Sequence, residues 1–195
     1  MSRLTRLCLL GVLGAAGLAG LGCGGSGSPT TPPPPPPPPP PSPGVFFTAG
    51  ASPGGNTIYL AGPDSNDPSV FTLEVRASQV TDFYGLALDI NFPNDLLSHK
   101  NNDSTIHEGT FLNADGNVTT SLLRDRQAGG LLVIGHTRQG EVEGVDGSGL
   151  LFSLDFTTDA AGTGKFTISR QQMRDSKLAI QEDVVWLAGT IEVRF

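Results

Sequence analysis

Hydrophobic residues recur at every second position in run after run of this chain, from Phe71 to its last residue. Phe71, Leu73 and Val75 alternate with Thr72, Glu74 and Arg76. Tyr84, Leu86, Leu88, Ile90 and Phe92 alternate with Gly85, Ala87, Asp89 and Asn91. Leu150, Phe152, Leu154 and Phe156 alternate with Leu151, Ser153, Asp155 and Thr157; Phe166 and Ile168 continue the pattern, and Ile191, Val193 and Phe195 close the chain. Successive side chains of a strand point to opposite faces. The alternation therefore puts one face in a core and the other in water, as an antiparallel sheet does. Helical spacing is nearly absent. One segment, 171–182, is ambiguous, because Gln171 to Ser176 suits a helical turn.

Turn formers separate the runs: Gly62-Pro63-Asp64, Pro93-Asn94-Asp95, Asp115-Gly116-Asn117, Gly129-Gly130 and Gly162-Thr163-Gly164. Short strands at near-regular spacing predict an all-β fold, a sandwich or a barrel. Three glycines between Gly144 and Gly149 suit either a phosphate-cradling loop or the turn that admits a strand. A phosphate loop opens a helix, whose first amides hold the anion. Here the following residues alternate through Phe156, so these glycines read as a tight turn or bulge.

The pattern does not reach the N-terminus. Residues 1–22 begin with Arg3 and Arg6 and continue as an apolar run rich in Leu, Ala and Gly, as expected of an export signal. The run is short for a helix that must cross ~30 Å of hydrocarbon. Cys23 follows Gly20-Leu21-Gly22 and precedes a Gly/Ser stretch, an arrangement that resembles the lipidation site of bacterial lipoproteins, although Gly20 stands where those have Leu. A membrane, reached through a lipid on Cys23, is thus an expected partner; cleavage near Ala19 or Gly22, giving a secreted product, is the alternative. Residues 23–44 form a Gly/Ser/Pro-rich linker with an unbroken run from Pro32 to Pro41. At ~3.1 Å per residue in polyproline II, that run is a semi-rigid spacer of about 30 Å. Cys8 lies inside the signal, so the exported chain has no internal disulfide and depends on its core. Residues 45–195 remain, one domain's worth.

Without Arg3 and Arg6, 10 basic residues face 19 acidic ones, a net charge of −9. Such a balance excludes nucleic acid, whose phosphates need basic patches. His99, His107 and His136 lack zinc-ligand spacing, and the domain has neither a G-x-S-x-G elbow nor a cysteine nucleophile. No cofactor is called for. Asp64-Ser65-Asn66-Asp67, Asn94-Asp95 and Asn101-Asn102-Asp103 carry the oxygens that a structural calcium takes, or are turn residues bonding their own backbone. Trp186 and Tyr59 are the candidates for stacking on a sugar ring; the phenylalanines fall mostly on inward positions.

Three segments, in order, resemble the cohesin domain of the scaffolding proteins of cellulose-degrading complexes. They are Leu86 to Leu97 (an alternating strand, then Phe92-Pro93-Asn94-Asp95 and paired leucines), Glu108-Gly109-Thr110-Phe111-Leu112, and Gly147-Ser148-Gly149-Leu150 leading into a strand that ends on Phe156. The likeness covers about residues 56–195. It implies a nine-stranded antiparallel β-sandwich of jelly-roll topology, in a superfamily shared with several carbohydrate-binding modules. It also implies a non-catalytic role: recognition of a calcium-loaded dockerin through one sheet, by outward residues of the strand that holds Gly85, Ala87, Asp89 and Asn91. Gly85 and Ala87 stand where those cohesins place Asn and Asp, which leaves Asp89 and Asn91 as the candidate partner contacts.

The expected function is that of a cell-envelope binding module taking a protein partner, dockerin-like or other, or a polysaccharide, with a link to polysaccharide catabolism. Carbohydrate binding through Trp186 and Tyr59 is the alternative, and a hydrolytic enzyme the third class.

Overall fold

The computed structural model describes residues 35–100 and 106–195, so the expected export signal, Cys23 and Asn101-Asn102-Asp103 lie outside it. Residues 35–43 are exposed and carry no regular secondary structure. The alternating runs then become strands: β1 (Gly44–Ala49), β2 (Thr57–Ala61), β3 (Val70–Phe83), β4 (Gly85–Asn91), β5 (Leu97–His99), β6 (His107–Glu108) and β7 (Thr119–Arg126). After a 3-10 turn at Gln127–Gly129 follow β8 (Leu131–Arg138), β9 (Val145–Thr158), β10 (Gly162–Lys165), β11 (Thr167–Arg174), β12 (Val185–Leu187) and β13 (Gly189–Arg194). No α-helix occurs among the described residues.

The strands form sheets ordered β1-β13-β10, β11-β4-β8-β7 and β12-β2-β3-β9-β5, with β6 also on β9. Together they build the expected all-β sandwich. Two details differ from the nine antiparallel strands expected. There are thirteen described strands, because short segments such as β6 and β10 pair separately along longer ones, and β12 runs parallel to β2.

The inner faces are those the alternation marks. Leu86, Leu88 and Ile90 of β4 oppose His136, Ile134 and Leu132 of β8, all buried. Phe71, Leu73 and Val75 of β3 pair with Phe156, Leu154 and Phe152 of β9. A cluster of rings joins the sheets at one end: Phe71, Phe92, Phe156 and Phe166, with Phe47 at its edge.

The alternation fails in two places. Phe195 follows the end of β13 and is 62% exposed, so it does not continue the inward row of Ile191 and Val193. The register of β9 shifts between the partners of Val75 and Arg76, which turns Leu151 into the core and leaves Leu150 half-exposed opposite Arg76. Gln171 to Arg174 extends strand β11 and forms no helical turn, because Met173 pairs with Leu86 and is fully buried. Gly162-Thr163-Gly164 likewise belongs to a strand, on the edge of β13.

The glycines of 144–149 admit a strand, as read. Gly147 sits at φ +114, where the ladder to β3 is irregular and a side chain is disfavoured. Gly149 packs under Phe111: a Cβ there would stand 2.8 Å from the Cβ of that residue. No helix follows.

Candidate functional site

The four-stranded sheet presents its outer face as a continuous surface. Register places four rows across it. They are Arg174, Gly85, Thr137 and Thr120; then Gln172, Ala87, Gly135 and Leu122; then Ser169, Asp89, Val133 and Arg124; and last Thr167, Asn91, Leu131 and Arg126.

Glycine shapes the middle of this face. A Cβ on Gly85 would stand 2.4 Å from Thr137 Oγ1, so the missing side chain is what lets Thr137 lie across β4. Above Gly135 the space is open, the nearest atom being Leu122 Cβ at 4.0 Å. Two shallow hollows, of about 200 and 170 Å³, adjoin here and share Leu86 and Thr137 in their walls. Leu122 stands at the rim, 64% exposed. An apolar side chain beside an unfilled hollow is what a docking surface offers.

The charge of the face is opposite to that of the chain. Arg124 and Arg126 point outward from β7, since their neighbours Leu123 and Asp125 face inward, and neither forms an ion pair with a described residue. Arg174 stands at the other edge, its guanidinium donating to the Leu178 carbonyl at 2.6 Å. Arg170 occupies the bulge of β11 at φ +48, with its Nε 3.5 Å from Asp89. Asp89 is the one carboxylate among the four rows.

Both polar candidates of β4 face outward and are engaged. Asp89 is only 5% exposed, lying against Arg170. Asn91 is half-buried and donates to Ser169 Oγ at 3.4 Å. Trp186 and Tyr59 lie elsewhere, on β12 and β2. Trp186 pairs with Ile58 and packs against the core, whereas Tyr59 stands on the outer side of β2 opposite Arg76. Their rings do not share one platform.

Under this outer face, β8 turns two polar side chains inward. Arg138 is fully buried and donates to the Leu112 carbonyl at 2.6 Å and to Asp115, which that hydrogen bond holds down to a pKa of about 2. His136 is buried against Phe152, edge to face, with neither ring nitrogen hydrogen-bonded. Burial pushes its pKa below 6.5, and the Glu108 carboxylate, 4.0 Å from Nδ1, offsets this only in part. The unfolded chain thus takes up a proton near pH 6.5 that the folded chain refuses. Stability from this site is complete above the unfolded value and is lost as pH falls below it. His136→Leu is expected to flatten the fall in urea midpoint as pH drops below 6.5. Equal slopes in the two proteins would remove His136 as the cause.

The other histidines are apart from this one. His99 is buried with its Nδ1 2.8 Å from Asp125, and His107 lies on the surface 3.2 Å from Asp155. In the oxygen-rich loops, Asp67 accepts from the amide and hydroxyl of Ser69 within its own turn, whereas Asp64 accepts from the Phe47 amide of β1, 17 residues away. No group of three metal-ligating side chains occurs among the described residues.

Sequence reading missed Leu122 and the arginines. A signal was present: in Leu122-Leu123-Arg124-Asp125-Arg126 two adjacent leucines cannot both face a core, and Leu122 shares its parity with both arginines. Arg170 gave no such signal, because a bulge carries it onto the face.

No protein-family model and no curated protein matches the sequence. Solved structures do. The second type II cohesin module of the adaptor ScaA scaffoldin of Acetivibrio cellulolyticus aligns with a TM-score of 0.58 at 12% identity, over 71% of this chain and 96% of that one. A type II cohesin from Bacteroides cellulosolvens gives 0.52 at 14% identity, over 64% and 90%. A chain of a type II Cohesin-X-Dockerin complex from Acetivibrio cellulolyticus gives 0.56 at 11% identity, over 67% and 95%. At these identities the likeness is one of fold: the domain is a cohesin-like β-sandwich.

Proposed function

We propose that this domain is a non-catalytic module that docks a protein partner on the outer face of the four-stranded sheet. The carrying observation is the exposed Leu122 beside the hollow over Gly135, an apolar side chain standing largely in solvent on this face. The Cohesin-X-Dockerin complex among the similar structures supports a protein as the ligand class. Asp89 and Asn91 contribute by holding Arg170 and Ser169 in place on this face. The N-terminal segment belongs to the same reading: residues 1–22 export the chain, a lipid on Cys23 retains it at the cell envelope, and the proline run holds the domain away from the membrane.

The test is site-specific cross-linking in cells of the source organism. A benzophenone amino acid at Leu122 is expected to yield one defined protein adduct, and the same group at exposed Val185 none. Gly135→Leu, whose Cβ would meet only Leu122 Cβ at 4.0 Å and whose side chain projects into the hollow, is expected to lower the Leu122 adduct by about tenfold. Wild type, and not Cys23→Ala, should incorporate labelled palmitate. Adducts of equal yield from both positions, insensitive to Gly135→Leu, would mean that the face is not a docking site.

A further inference from the structure

We infer that the partner of this face is an acidic polypeptide, whose carboxylates meet Arg124, Arg126 and Arg170 while one of its apolar side chains enters the hollow over Gly135. The inference rests on the docking reading and adds the chemistry of the partner.

The charge distribution carries it. Across the whole chain, 12 basic residues are outnumbered by 19 acidic ones, yet the four rows of the outer sheet face hold three arginines against one carboxylate, and Arg170 adds a fourth. That one carboxylate, Asp89, is buried beside Arg170 and is not available to repel an acidic ligand. Clustering of this kind within an acidic molecule steers an oppositely charged partner to one face and excludes basic ones.

The geometry is specific about the group recognised. Arg124 and Arg126 are two residues apart on one strand and so stand about 7 Å from each other. That spacing suits carboxylates one turn apart on a helix, at about 5–6 Å, or two residues apart on a strand. A guanidinium fork takes a carboxylate in two parallel hydrogen bonds. Arg170 is held for the same purpose. Its backbone sits at φ +48, a left-handed conformation that is disfavoured in a residue with a side chain, and such strain collects at functional sites. The bulge lays its side chain over the sheet, 83% exposed, and Asp89 is its one ion-pair partner among the described residues. Asp89 thereby acts as a positioning residue, aiming a guanidinium that remains open to solvent.

The experiment uses the exported chain and poly-L-glutamate as probe, followed by titration calorimetry at several salt concentrations. Poly-L-glutamate is expected to bind, to weaken as salt rises, and to lose about tenfold or more in affinity in the triple variant Arg124→Gln, Arg126→Gln, Arg170→Gln. Arg76→Gln, on the other sheet, is the control and should bind as wild type. Unchanged binding in the triple variant would overturn the inference. So would a preference for polygalacturonate over poly-L-glutamate, which would make the ligand an acidic polysaccharide, or a self-association abolished by the triple variant, which would make the occupant a second copy. Gly135→Leu separates this from the docking reading, because it should leave poly-L-glutamate binding intact while lowering the Leu122 adduct. If the Leu122 adduct forms and survives the triple variant, docking stands and the acidic partner falls.

Discussion

Phe156→Ala is expected to lower the unfolding free energy of the domain by about 4 kcal/mol. Phe156 is fully buried, and four rings surround it: Phe92 at 5.2 Å between centroids, His99 at 5.4 Å, Phe166 at 5.9 Å and Phe71 at 6.4 Å. These come from different sheets and connections, so the void left by truncation cannot close by the shift of one neighbour. The cost is then the lost transfer energy together with a cavity. Urea unfolding followed by tryptophan fluorescence would read it, Trp186 being the single tryptophan. A loss below about 1 kcal/mol would mean that the rings relax into the space and that the cluster is not what joins the sheets.

The second large effect needs only one added carbon. Gly109→Ala is expected to cost about 3 kcal/mol, because its Cβ would stand 2.1 Å from the Leu150 carbonyl oxygen and 2.6 Å from the carbonyl carbon. These atoms are backbone and cannot swing aside. The Gly109 amide also donates to the Leu151 carbonyl at 2.8 Å, and the adjoining β6 pairs with β9 at Ser153 and Phe152, so relief requires that this edge peel away. Gly129→Ala is the control: nothing lies within 4 Å of a Cβ there, and a change within about 0.5 kcal/mol is expected. Thermal melts of the two variants compare them directly. Similar melting temperatures would refute the close approach at Gly109.

The two substitutions differ in how far the sequence foretells them. Phe156 closes an alternating run and its inward orientation follows from parity alone. Gly109 lies in a segment notable in sequence for its likeness to cohesins, but nothing in Glu108-Gly109-Thr110 says that a strand passes within one atom's width of it. The same division holds on the outer face of the four-stranded sheet. Asp89 and Asn91 are outward by parity, as read, and the structure adds that Asp89 is covered by Arg170 and Asn91 braced against Ser169. Leu151 shows the limit of parity itself, since one register shift exchanged its place with that of Leu150.

What the sequence determined by itself is whatever a strand's period of two can encode. That includes which residues of each run face the core, where turns interrupt them, and hence an all-β sandwich without a helix-borne phosphate site. This information is local, because the pleat sets the direction of each side chain from its neighbours alone. Only the tertiary structure decided which strands lie side by side, and with that which side chains share the proposed docking surface. Arg124 and Arg126 sit on β7 and Arg170 and Arg174 on β11, opposite edges of one sheet with β8 and β4 between them. Strand pairing joins residues far apart in sequence through backbone hydrogen bonds that every residue type but proline can make in full, so no local pattern records which distant charges will share a face.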